Sequence, residues 1–428
     1  MWTTIKNAFS TPELRKKLLF TIFILVIFRL GSAIPVPFVD ASVLKNLIGD
    51  GNNFFGLLNT FSGSAFGKAT LFALSITPYI TASIIIQLLT VAIPPLERMA
   101  KEGETGRKKL NKITKWVTLA MAAVQAFGYY TIVNSQGGIA SAYRSGFAKY
   151  FAMIVIILCF TAGAFAVTWL GDQISEKGIG NGISIILFAG ILAGMPTSLD
   201  VLFQRFQQGG INYILVPIIL LVFAAMIVFI VIMTDAERRI PVQYAKRVVG
   251  RKMYGGQSSY IPIKVNMSSV LPIIFASSLL SIPGMIAEFV QPTSAFWQGF
   301  LHVMSPSHWF YGILYFLLII GFNYFYVAIQ YNPIEIANNI KNNNGAIPGI
   351  RPGKPTSTFI SKVLSKIVFI GAIFLGIIAV FPIIFNSATG IPVALGGTSI
   401  IIVVGVALET MQQLESQLMM RHHKGFLE

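Results

Sequence analysis

Charge is scarce in this chain. Of its 428 residues only 11% are charged, 54% are hydrophobic and the mean hydropathy is +0.71, whereas a soluble domain carries about 25% charged residues. That shortage excludes an ordinary soluble fold and predicts an all-α polytopic membrane protein. Acidic residues are scarcer still, 16 against 32 Lys and Arg, which leaves a net charge of +16. The one cysteine, Cys159, lies in an apolar run and cannot form an intrachain disulfide, so a core thiol is expected. His302, His308, His422 and His423 have neither His-Glu-x-x-His spacing nor partner cysteines, and no metal site is expected. A phosphate-cradling loop is also missing. The nearest match, Ser62 to Ala69, has Ser for the first Gly and Ala after the Lys. Gly178-Ile-Gly180-Asn-Gly182 lacks dinucleotide spacing and is expected to supply tight turns and close helix approach. No Gly-x-Ser-x-Gly elbow occurs. Enzymatic chemistry and a bound cofactor are not expected. Met1 to Lys17 is polar and the apolar run after it shows no small-residue cleavage site, so the first span is expected to stay as an anchor.

Long apolar runs fill the rest. Ten candidate spans are read at 18–36, 70–93, 116–134, 149–170, 183–201, 211–233, 267–290, 308–331, 363–385 and 396–416. Basic residues alternate by loop. Arg15, Lys16 and Lys17 precede span one, seven Lys and Arg from Arg98 to Lys115 follow span two, seven more follow span six and five follow span eight. The opposite segments hold only Lys45, Lys68, Arg144, Lys149 and Arg205. The positive-inside rule then places both termini in the cytoplasm.

The stretch before span two is unusual. Phe54 to Lys68 is apolar, too short to cross and broken by Gly56, Gly63 and Gly67. Such backbone at membrane depth is tolerated where it is buried in protein or lines a cavity; an amphipathic helix resting on the outer interface is the alternative. The loops at about 234–266 and 332–361 run to roughly thirty residues, against about 2 to 8 for ordinary helix connections. The first alternates β-formers and charges around Gly255-Gly256, as a hairpin would. The second ends in Ile347-Pro-Gly-Ile-Arg-Pro-Gly-Lys-Pro355, a stiff tip presenting Arg351 and Lys354. Attraction to anionic lipid accounts for their charge; their length and shape point to docking of a large partner.

Ionisable residues within the spans are few: Arg29, Glu288 and Glu409. Ion-coupled transporters usually place such groups at midplane. Here the middle is aliphatic, with Ile76 and Ile80 one helical turn apart in span two and Ile183 and Leu187 likewise in span five. Ile274 follows Pro272, and Ile402 follows Gly396-Gly-Thr-Ser399. Gln87, Asn181, Ser277 and Ser278 are polar groups at span positions, suited to interhelical hydrogen bonds.

Several stretches together resemble the SecY family, the channel subunits of the bacterial Sec protein translocon. They are Phe28 to Pro37, Thr77 to Leu89, Gly178 to Ser184, Tyr244-Ala-Lys-Arg247, Pro262 to Met267, Phe275-Ala-Ser-Ser278, Pro348-Gly-Ile-Arg-Pro-Gly353 and Gly396 to Ser399. The resemblance implies a clamshell of two five-helix halves, about 1–205 and 206–428, around an hourglass pore. It implies a seal of Ile76, Ile80, Ile183, Leu187, Ile274 and Ile402, with Leu187 standing where isoleucine is common. It implies a plug over 54–68 carrying Phe54, Phe55, Leu57, Leu58, Phe61 and Phe66. A lateral gate between spans two and three and spans seven and eight would carry Gln87, Asn181, Ser277 and Ser278. The implied partners are the small subunits SecE and SecG, the ATPase SecA, the ribosome and signal-bearing preproteins. Docking would fall to Arg247, Arg251, Lys252, Arg351 and Lys354. The expected function is a passive protein-conducting channel of the plasma membrane; a secondary transporter of a small solute is the alternative.

Overall fold

A computed structural model of the chain describes residues 2–42, 44, 59–60, 62–207, 209, 212–244, 247–249, 252–254, 258–268, 270–290, 294–305, 308–389 and 397–422. Each of the ten expected spans falls on a helix. A short amphipathic helix, α1 (Trp2–Ser10), leads into α2 (Pro12–Gly31), whose Pro12 sits in the first turn, where a missing N–H costs nothing. Then come α3 (Thr77–Ala92), α4 (Pro94–Lys101), α5 (Glu104–Ser135), α6 (Gly146–Lys177) and α7 (Gly182–Gln207). The second part of the chain holds α8 (Asn212–Asp235), α9 (Leu271–Val290), α10 (Ala295–Val303), α11 (Trp309–Gln330), α12 (Pro333–Asn342), α13 (Lys354–Thr389) and α14 (Gly397–His422). Among the described residues α5, α6, α7, α8, α11 and α13 are each long and apolar enough to cross a bilayer.

Span two departs from expectation. Its helix begins at Thr77, and residues 71–76 form successive turns, because Ser75 sits at φ 48° and breaks the helical run. The inner end turns through 102° between α3 and α4. Ile93 there is extended (φ −112°, ψ 111°), as the residue before a proline tends to be, and Pro94-Pro95 cannot continue α3.

The glycines of the 178–182 motif do what their spacing suggests. Gly180 adopts φ 80°, and a Cβ on Gly182 would lie 1.9 Å from the Gly171 carbonyl oxygen, so α7 starts in direct backbone contact with α6.

The expected hairpin is present: β1 (Glu237–Tyr244) pairs antiparallel with β4 (Ser258–Lys264), with Ile240 opposite Ile261. Its tip carries the shorter pair β2 (Arg247–Val249) and β3 (Lys252–Tyr254). The sequence did not announce β5 (Gly345–Ala346), which pairs with the other edge of β1 through Gln243↔Ala346 and Tyr244↔Gly345. The two long loops are therefore one sheet, ordered β4-β1-β5. Ile240, Val242 and Ile263 pack with Ala337, Ile340, Ile347, Ile360 and Leu364, which seats the sheet on α12 and α13.

The largest apolar core lies where α2, α3, α6, α7, α8, α9, α11, α13 and α14 converge. A second cluster is built by α5, α6 and the segments before α3.

Candidate functional site

Four separate helical segments bring the six aliphatic candidates together. Ile76, Leu187, Ile274 and Ile402 are buried members of the central cluster, and Ile80 and Ile183 pack against it half-buried. Ile76 is the residue just before α3 and Ile80 lies one turn further in. Pro78 in the first turn of α3 fixes its starting geometry without loss of a hydrogen bond. Ile183 and Leu187 face the cluster from the first turns of α7, Ile274 from the first turn of α9 and Ile402 from the second turn of α14. Their immediate company is apolar as well: Ile186, Val270, Ile273 and Val406. Such an apolar cluster offers an ion no ligand.

The seam is formed by α9 packing against both α3 and α5. The polar side chains expected there bond within their own segments instead of across it. Gln87 Nε2 donates to Ser83 Oγ at 3.2 Å, and Ser277 Oγ donates to the Ile274 carbonyl at 2.9 Å. Asn181 Oδ1 accepts from the Ile183 amide at 3.1 Å and the Ser184 amide at 3.4 Å, which makes it the N-terminal cap of α7. Ser278 is half-buried on α9, and its carbonyl accepts from Ser281 Oγ.

Of the plug candidates, Phe54, Phe55, Leu57, Leu58 and Phe61 lie outside the described residues, and Phe66 is described. Phe66 is buried in the second cluster, apart from the aliphatic six. Its ring meets Tyr129 edge-on at 4.8 Å, and its carbonyl accepts the Tyr129 hydroxyl at 2.7 Å. Just ahead of it, the Gly63 carbonyl accepts from Arg29 Nη1 at 3.2 Å. Gly63 has φ 63°, and a Cβ there would stand 2.9 Å from the Gly190 carbonyl oxygen. The exit of the 54–68 segment is thus held by α2, α5 and α7. Sequence reasoning had singled out Arg29 only as a rare span charge.

On the opposite face, Arg351 is exposed in the turn between β5 and α13. Ile350 N–H to Ile347 O at 3.0 Å and Thr356 Oγ1 to Arg351 O at 2.9 Å hold the turn, and Gly349 (φ 79°) and Gly353 (φ 102°) allow its shape. Lys354 is exposed at the start of α13. The backbones of Arg247 and Lys252 lie in the β2–β3 ribbon, while Arg251 is outside the described residues. At the root of the sheet a 2.6 Å hydrogen bond to Glu237 pushes the Arg239 guanidinium above its ordinary pKa.

The SecY family profile matches residues 70–411. The protein translocase subunit SecY of Streptomyces galbus is 45% identical over 442 aligned positions, with 100% of each chain covered. That of Corynebacterium glutamicum is 42% identical and that of Halalkalibacterium halodurans 43%, again over 100% of both chains. Among solved structures, a protein-conducting channel superposes with a TM-score of 0.65 at 20% identity, covering 94% of this chain and 92% of that one. Sec61 of the canine ribosome–channel complex superposes with a TM-score of 0.64 at 19% identity, over 94% and 92%.

Proposed function

The chain belongs to the SecY family, and from that premise we propose a passive channel that an external motor drives and that six aliphatic side chains keep shut. It is a protein translocation channel and a multi-pass membrane protein. The observation that carries the finer reading is the meeting of Ile76, Ile80, Ile183, Leu187, Ile274 and Ile402 in one apolar cluster, although Ile76 and Ile402 are far apart in the chain. Flexible aliphatic side chains can close around a sliding polypeptide without holding any one residue of it. They also dewet when nothing occupies the gap.

The remaining roles follow. The two halves, 1–205 and 206–428, part at the seam of α9 with α3 and α5, releasing apolar segments of the translocating chain into lipid. The bonds of Gln87, Asn181 and Ser277 lie within their own segments, so parting the seam breaks none of those bonds. Residues 54–68 cover the constriction from the outer side. The β4-β1-β5 sheet with the Arg351 turn receives SecA or a ribosome; the ribosome-bound state of the Sec61 relative supports the second partner. SecE and SecG accompany the chain in the plasma membrane, with both termini cytoplasmic and anionic lipid near the basic loops.

Reconstitution tests the whole reading. Proteoliposomes with this chain and its small subunits should protect a signal-bearing preprotein from external protease only when SecA and ATP are added. Proton- or sodium-coupled uptake of a small solute without preprotein transport would reverse the conclusion in favour of a solute transporter.

A further inference from the structure

The connection from α9 to α11, on the side opposite the basic loops, carries a surface that the channel reading does not use. Its helix α10 has nine residues, roughly 14 Å at 1.5 Å per residue, and cannot cross a core of about 30 Å. Yet it is apolar on nearly every side. Phe296 is 77% exposed, Trp297 50% and Trp309, at the start of α11, 70%. The rings adjoin in two runs: Phe296 to Trp297 at 6.0 Å and Trp297 to Phe300 at 5.9 Å, then His302 to His308 and His308 to Trp309 each at 5.8 Å. Both helix starts are capped, by Ser294 Oγ accepting from Trp297 N–H and by His308 Nδ1 accepting from Phe310 N–H, so the rings stand on ordered backbone.

No Lys, Arg, Asp or Glu occurs between Glu288 and Glu335. An exposed aromatic surface without charged neighbours does not belong in water. It also continues the exposed apolar faces of the flanking helices, Ile282 and Ile286 on α9 and Ile313 and Leu317 on α11. Those faces lie against acyl chains in a spanning bundle. Trp and imidazole at the end of such a face match the headgroup boundary, where amphipathic rings settle. Lipid, not a second protein, is the occupant continuous with this surface.

We propose that α10 and the first turn of α11 lie in the headgroup–acyl boundary of the leaflet opposite the basic loops, held by ring insertion and not by charge. The lipid seat then tethers the far end of α9, a consequence that rests on the gate reading of that helix. It also predicts a contrast between faces: the basic-loop side responds to anionic lipid and salt, and this side does not.

The test uses the full-length chain with its small subunits, carrying Cys159→Ala and Phe296→Cys labelled with an environment-sensitive fluorophore. Vesicles contain phosphatidylcholine with or without phosphatidylglycerol, and a nitroxide either near the headgroup or at the acyl-chain end. The shallow nitroxide should quench about twofold or more better than the deep one, as burial of about 5–10 Å requires. Phosphatidylglycerol and salt should leave that ratio unchanged. Quenching by aqueous iodide but by neither nitroxide would overturn the proposal, and so would protection from all quenchers, which would mean a protein covers the patch. The same label at Leu317→Cys provides the reference and should respond to the deep nitroxide. If Leu317→Cys is quenched and Phe296→Cys is not, the lipid seat alone fails. If neither is quenched, the membrane placement of the bundle fails with it.

Discussion

The Asn323 side-chain amide donates to the Val368 carbonyl at 2.9 Å, joining α11 to α13, while its oxygen accepts the Ser268 hydroxyl just ahead of α9. Asn323 is 3% exposed, and Ser268 is buried as well. Beside them a Cβ on Gly371 would lie 2.5 Å from the Val265 carbonyl oxygen, so the backbone leading into α9 crosses α13 in close contact. The start of α9 is therefore clasped by two neighbours, α11 and α13.

Asn323→Leu removes both bonds and leaves the Ser268 hydroxyl without this acceptor. A loss of about 1–3 kcal/mol is expected. Thermal unfolding of the purified complex should shift downward, and disulfide trapping between cysteines placed on α3 and α9 should fall. An unchanged melting curve together with unchanged trapping would mean that the clasp does not position α9.

In the constriction, Ile402→Asn or Ile274→Asn puts a polar group into the dry cluster and weakens dewetting. Both variants should leak small ions at rest and export preproteins with defective signal sequences. Single-channel conductance and an export assay check this; wild-type behaviour in both variants would remove these residues from the seal.

Deleting residues 57–65 should still yield an inserted protein, since no span is lost. Resting conductance should rise while translocation continues. The Phe66–Tyr129 contact lies beyond the deletion, whereas the Arg29–Gly63 bond is lost with it. A resting conductance equal to wild type would favour the interfacial-helix alternative for 54–68.

Arg351 stands between Pro348 and Pro352 on a turn whose carbonyl is bonded by Thr356, a stiff mount for a five-donor guanidinium. A charge that merely attracts lipid is worth about 1 kcal/mol and tolerates lysine. A desolvated contact with a motor loses about 2–5 kcal/mol on truncation. Arg351→Glu should therefore insert and assemble normally but nearly abolish ATP-driven transport at saturating SecA, and Arg351→Lys should be distinctly slowed. Transport by Arg351→Glu at the wild-type rate would move the coupling site elsewhere.

The amino-acid sequence by itself determined the class and where the apolar helices fall, because apolar length acts locally and needs no tertiary information. It also marked the hairpin, through β-formers flanking Gly255-Gly256, and the close approach of α6 and α7, through Gly182. Resemblance to a family then nominated the six aliphatic residues, whose helices are apolar on most faces and so give periodicity nothing with which to choose the facing side.

Tertiary structure alone decided what those residues meet. It set Ile76 and Ile402 in one cluster, joined the two long loops through the brief β1–β5 pairing, and drew Phe66 into the core of α5 and α6, apart from the aliphatic six. It turned Asn323 into a clasp between three segments. Such contacts join residues tens to hundreds of positions apart. A local pattern records which side chains suit a dry or a polar setting, and only the packing of the helices selects the partner.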